Sequence, residues 1–153
     1  MPDTAFQPDR AHIQTREPKI LIIDDDDIYS ELVERALRKA APDISVVAAE
    51  DGQEGIEVLT GRAANPCSKP LVILLDINMP RMNGFEFLEA IRETPELRNH
   101  VVFMFTTSEA EEDRDRAYEF GVAGYIAKSR VGPQMAGMTE LLKSYASTVI
   151  LPG

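Results

Sequence analysis

The chain has 153 residues, enough for one domain around a hydrophobic core. Acidic residues outnumber basic ones 26 to 16, giving a net charge of −10 and a pI near 4.6. Such a surface lacks the lysines and arginines that neutralise nucleic-acid phosphates or draw a protein to an anionic membrane. The mean hydropathy is −0.19, there is one cysteine, and no apolar run approaches the roughly 18 residues of a spanning helix, so a cytoplasmic protein without an intramolecular disulfide is expected.

Residues 1–18 carry Pro2, Pro8 and Pro18 among polar residues without periodicity and read as a mobile N-terminal arm. Lys19 to Ile23 is an apolar strand that ends in Asp24-Asp25-Asp26-Asp27. Ile28, Leu32, Val33, Ala36, Leu37 and Ala40 then recur at helical spacing, with Asp27 read as the cap of that helix. Ile44 to Ala49 predict a second strand, and Ile56 with Leu59 mark a short helix ending at Gly61. A loop containing Cys67 follows, and that cysteine is given no role.

Leu71 to Leu75 are five consecutive apolar residues, the pattern of a strand buried on both faces. Asp76 stands at its end, and Pro80 and Gly84 fix a turn into a helix whose core face is Phe85, Leu88 and Ile91. A fourth strand, Val101 to Phe105, ends in Thr106-Thr107. Ser108 and Glu111 have the spacing of a capping box for the charged helix that follows, which Gly121 terminates. Tyr125 to Ala127 is a short fifth strand leading to Lys128. Pro133 is placed to open a last helix with Met135, Met138, Leu142, Tyr145 and Val149 along one face.

Strand and helix alternate five times, which predicts an α/β fold with helices on both faces of a parallel sheet. In such a sheet the carboxyl ends of all strands lie along one edge, where ligands bind. Asp24, Asp25, Asp76, Thr106 and Lys128 all stand at strand ends and would gather there. Three close carboxylates repel one another unless protons or a hard cation intervene, and an all-oxygen set suits Mg²⁺. A lysine and a hydroxyl beside them supply positive charge and a donor for phosphoryl oxygens.

These motifs, Ile-Ile-Asp24-Asp25, Leu-Leu-Asp76-Ile-Asn78-Met79-Pro80 with Gly84, Phe-Thr106-Thr107 and Gly124-Tyr125-Ile-Ala-Lys128, resemble those of response-regulator receiver domains of two-component signalling. The resemblance spans residues 19–146 and implies a doubly wound, flavodoxin-like sheet in the order 2-1-3-4-5. It implies that Asp76 is the phosphoacceptor and that Asp24, Asp25, Asp76 and the Asn78 backbone carbonyl hold Mg²⁺. Thr106 and Lys128 would grip the phosphoryl group and Tyr125 would act as the aromatic switch. The Thr106–Asp113 segment and the Val149-Ile-Leu-Pro ending further resemble small regulators that partner bacterial phytochrome kinases. That narrower likeness implies a homodimer built through the C-terminal extension, residues 147–153. One departure is Ser129, where the family usually has proline after the lysine; without proline a trans bond is expected.

The expected function is therefore phosphoryl transfer from a histidine kinase to Asp76, with output through a downstream protein partner because the chain ends at Gly153. The domain would assist its own phosphorylation without being a dedicated enzyme. Two other readings use the same residues. Asp24-Asp25-Asp26 after a strand also fits the nucleophile motif of haloacid-dehalogenase-like phosphatases, but Ile28 is unsuited to that motif, only Glu140 follows Lys128 as an acid, and Asp76 is left unexplained. A receiver-like binding module that is never phosphorylated would leave the acceptor, acidic pair, threonine and lysine without a purpose.

Overall fold

The computed structural model describes residues 18–62 and 71–152. The expected arm and the loop containing Cys67 fall almost wholly outside the described residues. The strands are β1 (Lys19–Ile23), β2 (Ser45–Ala49), β3 (Leu71–Leu75), β4 (Val101–Thr106) and β5 (Gly124–Ala127). All neighbouring pairs are parallel, in the order β2-β1-β3-β4-β5. The helices are α1 (Asp27–Ala40), α2 (Gly52–Leu59), α3 (Gly84–Glu93), α4 (Glu111–Glu119) and α5 (Ala136–Thr148).

Alternation along the strands divides the sheet between two cores. Leu21, Ile23, Ile73, Leu75, Val102 and Met104 face α2, α3 and α4, where Val58, Phe87, Leu88, Ile91 and Ala117 complete the packing. Ile20, Ile22, Val72, Leu74, Phe103 and Phe105 face α1 and α5, against Val33, Leu37, Met138 and Leu142. β3 is buried along its whole length, as its five apolar residues require.

Four local expectations are corrected. Asp26, not Asp27, caps α1: its Oδ1 accepts the Ile28 N–H at 3.0 Å, and Asp27 is the first helical residue. The apolar face of α1 is narrower than its sequence suggests, because Ile28 and Leu32 are exposed beside the gap between α1 and α5. Ser108 makes no capping box, because α4 begins at Glu111 with Ala110 in the cap position. The Ser108 hydroxyl instead donates to Asp113 at 2.6 Å. Pro133 opens only a 3₁₀ turn, Pro133–Met135; Gln134 and Met135 adopt positive φ, and α5 starts after them.

Candidate functional site

Strand register brings the polar strand-end residues together. Ile23 pairs with Leu75, so Asp24 and Asp76 are the next residues on adjacent strands. Their backbones remain tied to the sheet, with Asp24 N–H donating to Ala49 O at 3.0 Å and Asp76 N–H to Ile23 O at 2.9 Å. Thr106 pairs with Ala127, which sets Lys128 one step beyond Thr106 on the neighbouring strand.

Asp24, Asp25 and Asp76 each offer a carboxylate oxygen, all within 4.8 Å of one another, with Asp24 and Asp76 buried and Asp25 exposed. This is an oxygen-only donor set open to solvent on one side, which fits a hard divalent cation that keeps some of its water. Lys128 enters the cluster from β5. Its Nζ lies 2.7 Å from Asp24 Oδ2 and 3.6 Å from Asp76 Oδ2, and both side chains of the closer pair are almost fully buried.

Burial pushes the Asp24 carboxyl up to about 6, and the neighbouring Asp76 carboxylate pushes it the same way. Lys128 and the Asp26 N–H, which donates to Asp24 Oδ1 at 2.9 Å, oppose that rise without cancelling it. The charged form of Asp24 is thus less favoured than that of a free carboxyl, even with Lys128 beside it. Asp76 is oriented by its own turn, its Oδ1 accepting the Ile77 N–H at 2.8 Å.

Thr106 is fully buried, and its Oγ1 accepts the Ser108 N–H at 3.2 Å. Tyr125 donates its hydroxyl proton to the Ser108 carbonyl at 2.9 Å, and burial raises its pKa. Thr106, Ser108 and Tyr125 therefore form one hydrogen-bonded unit. Asn78 lies exposed in the loop after Asp76, whose base is closed by Gly84 N–H donating to Ile77 O at 2.8 Å. A Cβ at Gly84 would collide with the Asp76 carbonyl oxygen, so a glycine is required where this loop crosses the end of β3.

Two residues of the site were not singled out from the sequence. The Lys128 ammonium lies 4.1 Å from the centroid of the Tyr29 ring and 5.5 Å from that of Phe105. Those rings meet edge to face, and they steer the lysine toward the carboxylates while shielding it from water. Their signal in the sequence was ordinary: Tyr29 lies two residues past the acidic run, and Phe105 reads as a core residue.

The model of the response regulator receiver domain matches residues 20–140. The response regulator Rcp1 of Synechocystis is 32% identical over 142 residues, covering 91% of this chain and 97% of its own length. The solved Mn²⁺-bound form of Rcp1 superposes with a TM-score of 0.77, covering 88% of this chain and 99% of that one. The phosphorylated cyanobacterial phytochrome response regulator RcpA is 30% identical, with a TM-score of 0.80 over 90% of this chain and all of that one. The bacteriophytochrome response regulator RtBRR is 28% identical, with a TM-score of 0.70 over 90% and 82%. Sheet order, strand-end chemistry and these matches agree: the chain belongs to the response-regulator receiver domain family of two-component signalling.

Proposed function

We propose that this receiver takes a phosphoryl group on Asp76 from the phosphohistidine of a phytochrome-type histidine kinase and signals by binding a downstream protein in the phosphorylated state. The observation that carries the reading is Asp76 itself, a strand-end carboxylate with two further carboxylates within 4.8 Å and a buried lysine 3.6 Å away. The likeness to RcpA and RtBRR, a phytochrome and a bacteriophytochrome response regulator, supports the kinase class, and such a phosphorelay would operate in the cytoplasm.

A carboxylate oxygen of Asp76 attacks phosphorus as the P–N bond breaks. The bonding pair stays on the imidazole nitrogen, and an acyl phosphate forms on the aspartate. Lys128 supplies positive charge for the phosphoryl oxygens from a position already between Asp24 and Asp76. The Thr106 hydroxyl oxygen accepts from Ser108, which leaves its proton to be donated to a phosphoryl oxygen. Asp24, Asp25, Asp76 and the Asn78 carbonyl would hold Mg²⁺, and the divalent cation bound to Rcp1 supports a metal in this acid set. When bound, the cation offsets the charge of the carboxylates and the incoming phosphoryl group.

Movement of Thr106 toward that group would shift the hydrogen-bonded Ser108 and Tyr125, making Tyr125 the switch between site and surface. The groove between α1 and α5 runs from Lys128 past exposed Ile28 and Leu32 to the basic rim of Arg35, Lys39 and Lys143. It suits an apolar helix of the donor kinase, delivered beside the acceptor. With Mg²⁺ and a small phosphodonor, the wild type should gain one base-labile phosphoryl group and Asp76→Asn none. Label that persists in the variant would exclude Asp76 as acceptor.

The C-terminal extension supports a homodimer. Leu151 packs partly against the α1–α5 core, whereas Ile150 is 76% exposed and Val149 40% exposed. Covering such side chains is worth roughly 1.5 to 3 kcal/mol each, and a twofold partner can cover both sets at once. Sedimentation should show a dimer that is lost on truncation after Tyr145. A monomer in both forms would exclude this pairing.

A further inference from the structure

The loop between β3 and α3 carries Asn78 and turns back sharply at its far end. Met82 N–H donates to Pro80 O at 2.7 Å across Arg81, whose φ is +63°, so a non-glycine residue occupies the middle of a tight three-residue turn. Such a turn persists only where its surroundings over-determine it. Three contacts do so here, all from the N-terminus of α2, an element that contributes no residue to the acid cluster.

Arg81 Nε donates to Asp51 Oδ2 at 2.7 Å, and its second guanidinium nitrogen donates to Oδ1 at 3.1 Å. Gly52 N–H donates to Met82 O at 3.0 Å, and a Cβ at Gly52 would lie only 2.7 Å from Met82 Cγ and 2.9 Å from that oxygen. Asp51 is 4% exposed and also caps α2 through Glu54 N–H at 2.9 Å. Burial pushes its carboxyl upward, yet Arg81 and the capping N–H together hold it below the usual carboxylate range. The pair is thus charged and two-pronged, the strong form of such a contact.

We propose that Arg81 is a positioning residue for the cation site: its clamp on Asp51 fixes the path of the Asn78 loop, so that the Asn78 backbone carbonyl is held toward the acid cluster. Gly84 ties the base of the loop to Ile77, Arg81 ties its far end to α2, and Asn78 lies between these two fixed points. Neither Arg81 nor Asp51 touches the cation; they act through the backbone. The proposal rests on the reading of Asp24, Asp25 and Asp76 as a divalent-cation site.

The test is Mn²⁺ binding by electron paramagnetic resonance, with urea unfolding measured on the same proteins. Arg81→Ala should weaken Mn²⁺ binding roughly tenfold, the scale on which residues outside the ligand set affect a metal. Arg81→Lys, which keeps the charge but loses the two-pronged geometry, should fall between. Arg81→Ala combined with Asp51→Asn should bind no more weakly than the weaker single variant, because both remove one contact. Unchanged affinity in a folded Arg81→Ala overturns the proposal, as does full additivity in the double variant. Absence of Mn²⁺ binding to the wild type would instead overturn the metal-site reading beneath it.

Discussion

Asp24 and Asp76 directly follow β1 and β3, which are hydrogen-bonded to strands on both sides, whereas Tyr125 lies within β5 and Lys128 directly follows it, and among the described strands β5 is bonded to β4 alone. The segments after these strands differ in the same way. The Asn78 loop is closed at its base by Gly84 and clamped at its far end by Arg81. Beyond Lys128 the chain passes through a 3₁₀ turn, Gly132, and two non-glycine residues of positive φ before α5 begins. The acid half of the site is thus fixed by the sheet interior. The lysine and tyrosine half hangs on a sheet edge and a few side-chain hydrogen bonds. Phosphoryl chemistry needs carboxylates that do not drift, while a signal needs an element with two accessible arrangements.

The largest effect expected from this contrast lies in the rigid half, where Asp24 is held in an unfavourable place. Its carboxyl titrates near 6 in the folded chain against 3.8 for the free group. Between those values the folded chain keeps a proton that the unfolded chain has lost, so stability falls as pH rises. The penalty is absent below about pH 4 and complete above about pH 6, amounting to roughly 3 kcal/mol. Metal-free Asp24→Asn should therefore unfold at higher urea than wild type at pH 7.5, and the difference should vanish near pH 4. Mg²⁺ should narrow the gap at pH 7.5 by stabilising the wild type more than the variant. A variant less stable than wild type at pH 7.5 would show that the Lys128 contact outweighs burial.

A smaller effect is expected in the half at the sheet edge. Tyr125→Phe removes the hydroxyl that donates to the Ser108 carbonyl. The expected loss is about 1 kcal/mol. Hydrogen exchange should quicken at residues 107–110 and stay unchanged at residues 76–84. Faster exchange in both segments would mean that the halves are coupled and would break the comparison.

The sequence made the fold legible because its apolar runs are short, regularly spaced and unmixed, above all Leu71 to Leu75. A five-residue apolar run flanked by turn residues has few alternatives to a buried strand, and five short strands interleaved with helices leave essentially one class of sheet. Asp24, Asp25, Asp76, Thr106 and Lys128 were legible for the same reason, since a polar residue at or just past the end of an apolar strand is conspicuous. Capping details were harder. Ser108 and Asp26 belong to runs in which several residues could cap, and only the actual start of the helix chooses among them.

What the tertiary structure alone decided are the contacts between segments far apart in the chain. Lys128 meets Asp24 across 104 residues and Arg81 meets Asp51 across 30. Tyr29 reads locally as an amphipathic helix residue, yet it forms part of the wall around Lys128. The exposure of Ile28 and Leu32 was decided in the same way. Helical periodicity marks which residues share a stripe, but the width of that stripe covered by neighbours depends on where α5 is placed. Local propensity acts over a few residues, so the sequence by itself determined the elements and the strand-end residues. Register, helix placement and ion pairing arise only when the whole sheet is assembled, so the clamp, the aromatic wall and the groove belong to the tertiary structure.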